Sequence, residues 1–303
     1  MNNYLTIDIG GTNLKYGLLD HSGKLISHNK IATPNNKAAF LKIFDQIIAA
    51  YYAKVKGIAI SVPGKVDSKR GIVYFGGALP FLDGLDFKQR IQKKYGLLPT
   101  GVENDGKAAA LAELWLGSLK GQPNSAAIIL GTGVGGCIIL HDRLWSGSHF
   151  QAGELSFMVN DYHQSGYQQM VGMDVSAVGM IEKIATALQL PDKKDGIAVF
   201  EQINQGEKTA VKIFEEFCRK VAYLILNVQS VVDLTTYAIG GGISAQPLVV
   251  KTINAEYDRL LTEMPLVKKT LTRPQIKQAK FKNEANLYGA LYSLLCQLDQ
   301  ERG

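Results

Sequence analysis

Asp8-Ile9-Gly10-Gly11-Thr12-Asn13-Leu14-Lys15-Tyr16-Gly17 follows a short apolar strand at residues 4–7. An acid opens this stretch, two glycines and a hydroxyl form its turn, and a lysine follows. Such a loop brings backbone N–H groups, the Thr12 hydroxyl and the Lys15 ammonium onto a phosphate, and Asp8 stands close enough to hold a hydrated metal ion. Alone, the stretch would read as a hairpin turn, the commonest reason for glycine between strands. The chain carries the pattern twice. Residues 126–130 form a second apolar strand, Gly131-Thr132-Gly133-Val134-Gly135-Gly136 a second glycine loop, and residues 137–140 a further strand. Each copy ends in an aspartate, Asp20 and Asp142. The repeat predicts an internal duplication. Two such loops facing each other across a cleft would clamp a polyphosphate from both sides.

Working outward, residues 4–9, 14–19 and 24–30 read as a β-meander. Phe40, Ile43, Phe44, Ile47 and Ile48 have helical spacing within residues 37–52. A buried strand at 57–62 ends at Pro63-Gly64, and a short basic helix covers 87–95. A strand at 99–102, with Asn104 in the turn after it, and an Ala- and Leu-rich helix at 107–115 place Glu103-Asn104-Asp105 at a strand-to-helix junction. A second meander spans 125–145. Residues 146–179 are rich in Gly, Ser, Gln and His and predict a long loop, of the kind that is often functional. A helix at 210–231, a strand at 234–239 and a closing amphipathic helix at 284–298 complete the chain. The expected fold is a duplicated α/β architecture with a central cleft. Residues 1–106 make an N-terminal domain on which the closing helix, 284–303, packs back, and 107–283 make a C-terminal domain.

The 303 residues are 46% hydrophobic, as in a soluble globular protein. No run of about 18 apolar residues predicts a membrane span. The immediate entry into a strand leaves no place for a signal peptide, so a cytoplasmic protein is expected. Cys137, Cys218 and Cys296 are widely spaced in apolar runs and read as small core residues, with no C-x-x-C pair to frame a disulfide or zinc site. The net charge of +6 comes from scattered basic residues. Modest groupings at 88–94 and 268–280 read as solvated faces rather than a nucleic-acid stripe, though they would also attract an anionic substrate.

Asp105 follows a strand, where the ligand sites of α/β proteins collect polar groups. An aspartate there can accept a proton from a substrate hydroxyl as its oxygen attacks a γ-phosphoryl group. Spacing alone favours a helix cap at Asp105, and Asn104 caps equally well. Gly240-Gly241-Gly242 after a strand either lets a helix N-terminus approach a nucleotide or makes a tight turn. No G-x-x-x-x-G-K-[ST] is present, which excludes a P-loop enzyme. A strand rather than a helix follows the second glycine loop, which argues against a dinucleotide site. Glu154, beside Gly153, either binds sugar hydroxyls or is a surface acid. Gly76-Gly77-Ala78-Leu79-Pro80-Phe81 is a second sugar-side loop or an ordinary one. Trp115 and Trp145 read as core or rim aromatics.

Six stretches taken in order resemble the ROK family of sugar kinases and repressors, within the actin/hexokinase-like (ribonuclease H-like) ATPase superfamily. They are Asp8-Ile9-Gly10-Gly11-Thr12, Ser61-Val62-Pro63-Gly64-Lys65-Val66-Asp67, Glu103-Asn104-Asp105, Leu130-Gly131-Thr132-Gly133-Val134-Gly135-Gly136, Ala152-Gly153-Glu154 and Ile239-Gly240-Gly241-Gly242-Ile243. The resemblance spans nearly the whole chain. It implies ATP and Mg2+ as cofactors. Gly10, Gly11, Thr12 and Lys15, with Gly131, Thr132 and Gly133, would bind ATP phosphates, and Asp8 would take Mg2+ through water. Gly240, Gly241 and Gly242 would lie near adenosine. Asp105 becomes the catalytic base, and Gly77, Asn104, Asp105 and Glu154 would meet the sugar. A homodimer is implied as well.

The sequence departs from the family after Glu154. Many members continue with Gly-His and a cysteine-rich zinc motif; here Leu155-Ser156-Phe157-Met158 follows, and only His149 and His163 are at hand. No structural zinc is expected. The zinc-less branch is similar to β-glucoside kinases and N-acetylmannosamine kinases. Phe157-Met158 and Gly76-Gly77-Ala78 resemble the β-glucoside type most, and a roomier anomeric end would admit an aglycone. The expectation is ATP-dependent phosphorylation of the 6-hydroxyl of a β-glucoside or free hexose. N-acetylmannosamine kinase and glucokinase are the alternatives, and a catalytically idle sugar sensor is the rival from another class. A DNA-binding repressor is not expected, because only seven residues precede Asp8 and no helix-turn-helix fits there.

Overall fold

The computed structural model describes residues 3–281 and 284–300. They fall into two units. One comprises residues 3–117, Ser146–Gln151 and 284–300; the other comprises Ser118–Trp145 and 152–281. The split lies after Gly117, so the helix that begins at Asp105 stays whole within the first unit.

In the first unit β1 (Asn3–Ile9), β2 (Asn13–Asp20) and β3 (Leu25–Ala32) form an antiparallel meander. Helix α1 (Lys37–Tyr51) follows, capped by Asn36, and then β4 (Ile58–Val62). Strands β5 (Lys65–Asp67) and β6 (Ile72–Tyr74) pair as a separate ribbon. Helix α2 (Phe87–Tyr95), β7 (Thr100–Asn104) and α3 (Asp105–Leu116) complete this stretch. The sheet order is β3-β2-β1-β4-β7, with β1, β4 and β7 parallel. Alternation along the strands sets the two faces. Leu5, Ile7, Ile9, Ile58, Ile60 and Val62 point into one core with Phe40, Phe44 and Phe87. Tyr4 and Ala59 point the other way.

The second unit repeats this plan. Strands β8 (Ser125–Leu130), β9 (Val134–Leu140) and β10 (Arg143–Trp145) form a second meander. Helices α4 (Val171–Asp174), α5 (Ala177–Ala187), α6 (Gly196–Asn204) and α7 (Lys208–Val232) follow. Then come β11 (Thr236–Gly240), α8 (Pro247–Glu263), α9 (Pro265–Thr270) and β12 (Gln275–Gln278). The order is β10-β9-β8-β11-β12, again with three antiparallel strands and then parallel neighbours. The matching order and sense of the two sheets show the duplication that the glycine loops announced. The core of this unit gathers Ile128, Phe214, Val221, Ile225, Tyr237 and Tyr257. Between β10 and α5 the chain makes only short turns of helix, at Leu155–Phe157, Gly166–Gln169 and α4.

The chain closes in the first unit with α10 (Ala285–Gln300). Leu287, Leu291, Leu294 and Leu295 cover Tyr4, Leu19 and Ala59. Small residues permit the contact: a Cβ on Gly289 would lie 1.6 Å from the Ala108 carbonyl oxygen of α3. The expected continuation to 303 lies partly outside the described residues. Cys137 and Cys218 are buried, as expected; Cys296, on α10, is half-buried. Among the described residues no helix is long and apolar enough to cross a membrane.

The second glycine loop is shorter than the sequence suggested. Val134, Gly135 and Gly136 belong to β9, because they pair with Leu130, Ile129 and Ile128. Only Gly131, Thr132 and Gly133 turn. Asn104 likewise ends β7 instead of lying in a turn beyond it, and α3 starts at Asp105.

Candidate functional site

In the first unit three parallel strands end together. Their carboxyl ends lead into Gly10-Gly11-Thr12, Pro63-Gly64 and Asp105, the edge where α/β sheets present ligand groups. Gly10 N–H donates to the Asn13 carbonyl and closes a tight turn, whose central residues Gly11 and Thr12 are exposed. A Cβ on Gly11 would lie 3.1 Å from that of Ala78, and one on Gly77 would lie 3.3 Å from the Gly64 nitrogen. The Gly76-Gly77-Ala78 loop therefore borders both turns. Gly64 itself has φ of +95°, and a Cβ there would strike the Phe75 carbonyl at 1.9 Å. Only glycine fits that position.

Asp8 and Lys15 are not in the loop but opposite each other on β1 and β2. Asp8 is 3% exposed. Its Oδ1 accepts from Ser61 Oγ at 3.1 Å and from Asn286 Nδ2 at 2.9 Å, while Lys15 Nζ lies 3.4 Å from Oδ2. Strand register explains the first contact, since Asp8 pairs with Ser61 on β4. Ser61 stood in a recognised motif without a role, and Asn286, on α10, carried no sequence signal at all.

Asn104 is the N-cap of α3, with Oδ1 accepting from Lys107 N–H at 3.1 Å. Its Nδ2 donates to the Gly64 carbonyl at 2.9 Å and to Asp105 Oδ1 at 3.0 Å. Both amide hydrogens are thus used inside the protein, and what remains for a ligand is a lone pair on Oδ1. Asp105 Oδ1 also accepts from Gly106 N–H at 2.8 Å. The cap and the acid are therefore two residues with separate duties. Beneath them Glu103 is buried; burial raises its carboxyl above the usual glutamate range, against the Asn104 N–H, the Lys107 charge and the Ser293 hydroxyl.

In the second unit β8 and β11 are parallel and end at Leu130 and Gly240. A Cβ on Gly241, at φ +97°, would lie 2.0 Å from the Leu130 carbonyl oxygen, which sets the triple glycine against the second glycine loop. The Gly131 carbonyl accepts from Ala177 and Val178 N–H at the start of α5. Ser156 Oγ accepts from Val134 N–H at 3.0 Å and donates to the Val134 carbonyl at 2.9 Å. That tie, with Gly153 packed on Cys137, holds the Glu154 turn against β9. Beyond it, Val171 N–H donates to Met158 O and Asn160 N–H to Gln169 O, which closes an arm. The arm carries exposed Tyr162 and Tyr167, with exposed Phe157 at its base.

The predicted residues form two clusters: Asp8, Gly10–Thr12, Lys15, Gly77, Asn104 and Asp105 in the first unit, and Gly131–Gly133, Glu154 and Gly240–Gly242 in the second. The turns leave room for a ligand: Gly11 and Thr12 are exposed, and a Cβ on Gly131 or Gly242 would meet nothing within 4 Å. A single carboxylate at Asp8 suits Mg2+, which keeps most of its waters and takes few protein ligands. Among the described residues no group of three or more His, Cys, Asp or Glu side chains converges to hold a metal ion. Lys107, buried at 2% exposure two residues after Asp105, went unnoticed in the sequence because it sits in an Ala-rich helical run.

Comparison with known proteins identifies the family. The ROK family matches residues 4–296, and the chain belongs to that family. A beta-glucoside kinase of Klebsiella pneumoniae is 29% identical over 245 residues, covering 79% of this chain and 82% of its own. A ROK family protein from Streptococcus pneumoniae TIGR4, solved in complex with sucrose, superposes with a TM-score of 0.87 at 27% identity and covers 98% of this chain and 99% of its own. A ROK family glucokinase from Streptomyces griseus, in complex with glucose and AMPPNP, gives 0.79 at 27% identity, with 96% and 98% covered. The fold is that of these ROK family proteins, actin/hexokinase-like.

Proposed function

We propose that the chain is an ATP-dependent sugar kinase that phosphorylates the 6-hydroxyl of a hexose or β-glucoside. The observation that carries this is the Asp105 carboxylate, set at the end of a parallel strand and oriented by Asn104 and Gly106. Asp105 takes the proton of the sugar hydroxyl while that oxygen bonds to the γ-phosphorus, and the bond from that phosphorus to the bridging oxygen breaks to release ADP. Gly11, Thr12 and Lys15, with Thr132 and Gly133, hold phosphate oxygens through N–H groups, hydroxyls and the ammonium, while Gly10 and Gly131, whose N–H groups bond to the Asn13 and Gly133 carbonyls, close the two turns around them. Gly240–Gly242 border adenosine. Asp8 would hold Mg2+ through water, and the ion would neutralise charge on the phosphates. Gly77, Asn104 and Glu154 contact the sugar. A cytoplasmic homodimer completes the reading, by family resemblance.

The β-glucoside preference draws on two supports. Relatives include beta-glucoside kinases, and Phe157, Tyr162 and Tyr167 expose aromatic rings close in sequence to Glu154. Rings of this kind stack well on the apolar part of an aglycone. The test is product analysis by phosphorus NMR after incubation with Mg-ATP and glucose, cellobiose, arbutin or N-acetylmannosamine. A 6-phosphate formed fastest on the β-glucosides supports the reading. Product on N-acetylmannosamine alone would contradict the substrate assignment, and no product with any sugar would put a sugar sensor ahead.

A further inference from the structure

We infer that Lys107 is a positioning residue for sugar binding: it ties down the strap Ser146–Gln151, from which the chain runs directly into Gly153-Glu154. The inference rests on the kinase reading above. Lys107 Nζ donates to the Phe150 carbonyl at 2.6 Å, and its charge faces the buried Glu103 carboxyl.

Three observations meet at this bond. First, the ammonium is almost fully buried, and on the first turn of α3. Burial disfavours a cation, and so does the positive end of a helix. A methionine would fill the same space without either cost, so packing alone does not account for a lysine. Second, Phe150 has φ of +60°, an outlying conformation for a bulky residue that persists only where neighbours enforce it. Third, Ser146–Gln151 belongs to the first unit, although the chain before and after it belongs to the second. The bond from Lys107 therefore holds a strained residue in the one short excursion that precedes the Glu154 turn. A tie four residues before Glu154 restrains the stretch of chain that leads into that acid, which the reading above assigns to the sugar.

Lys107→Met, Lys107→Arg and Lys107→Gln test this, with steady-state kinetics for each substrate and hydrogen exchange of the amides at 148–155. Lys107→Met is expected to raise the sugar KM by about tenfold or more, a loss of uniform binding, while the ATP KM stays within about twofold. Lys107→Arg restores most of the sugar affinity. Strap amides exchange faster in Lys107→Met with or without sugar. An unchanged sugar KM with unchanged strap exchange overturns the inference, and so does an equal rise in both KM values with a lower melting temperature. If Lys107→Met does not fold, Lys107→Gln, which shortens the side chain and removes its charge, must show the same split; without it the inference falls. Absence of any sugar-dependent turnover in the unaltered protein would instead overturn the kinase reading, and strap exchange then judges the tie alone.

Discussion

Asn104 Nδ2 lies 3.0 Å from Asp105 Oδ1, so the residue that caps α3 also aims the acid that opens it. The same amide donates to the Gly64 carbonyl, so the turn after β4 shares in this aim. Asn104→Ala removes a cap worth about 1 kcal/mol and leaves the carboxylate without its side-chain guide. Thermal unfolding should show the small stability loss, and kcat should fall by roughly 10-fold or more, toward the range of a lost general base. Unchanged kcat would show that Asp105 needs no such guide.

The triple glycine separates fold from binding. Gly241→Ala places a Cβ against the Leu130 carbonyl oxygen at positive φ and should cost on the order of 3 kcal/mol in urea unfolding. Gly242→Ala meets open space and should leave unfolding unchanged within about 1 kcal/mol. If adenosine lies there, Gly242→Ala raises the ATP KM and spares the sugar KM. Equal unfolding curves for the two variants would refute the close approach to β8.

Burial raises the Glu103 carboxyl in the folded state, with Asn104 N–H, Lys107 and Ser293 opposing it. Between the ordinary glutamate value and that raised value the folded protein holds more protons than the unfolded chain. Stability therefore falls as pH rises through this window, and the loss is complete above the folded value. Glu103→Gln has no such titration. The stability of the unaltered protein relative to Glu103→Gln should decline from acid to neutral pH, read from denaturant melts. A flat difference would mean that Glu103 titrates alike in the folded and unfolded protein.

Asp8 accepts from Ser61 and Asn286 and pairs with Lys15. Asp8→Ala leaves buried donors without an acceptor and should cost about 1–3 kcal/mol. Asp8→Asn keeps the volume but loses the charge, and should raise the Mg2+ concentration needed for half-maximal turnover. An unshifted Mg2+ titration would remove Asp8 from the metal's surroundings.

The fold was legible largely because its signals are local. Strand–glycine–strand repeats, apolar alternation and the Ala-rich run at 107–115 each reveal an element without tertiary information. The glycine loops and Asn104-Asp105 were visible for the same reason, as short motifs at strand ends, and Glu154 as an acid beside a glycine. Gly135 and Gly136 misled because glycine signals a turn, whereas here pairing with Ile129 and Ile128 extends β9 through them. Asn286 and Ser293 were invisible because their partners, Asp8 and Glu103, lie at distant points of the chain and meet them only when α10 packs on the sheet. Lys107 hid because helical periodicity says nothing about whether a cation finds a carbonyl to bind.

The central claim is that Asp105 serves as base in phosphoryl transfer from ATP to a sugar. The most direct measurement is coupled ADP release with Mg-ATP, with and without sugar, for the unaltered protein and Asp105→Asn, alongside calorimetric sugar binding. The account predicts sugar-dependent ADP release that drops by about 10²- to 10⁴-fold in Asp105→Asn while sugar still binds. Near-normal turnover in that variant, or ADP release indifferent to sugar in the unaltered protein, would contradict it.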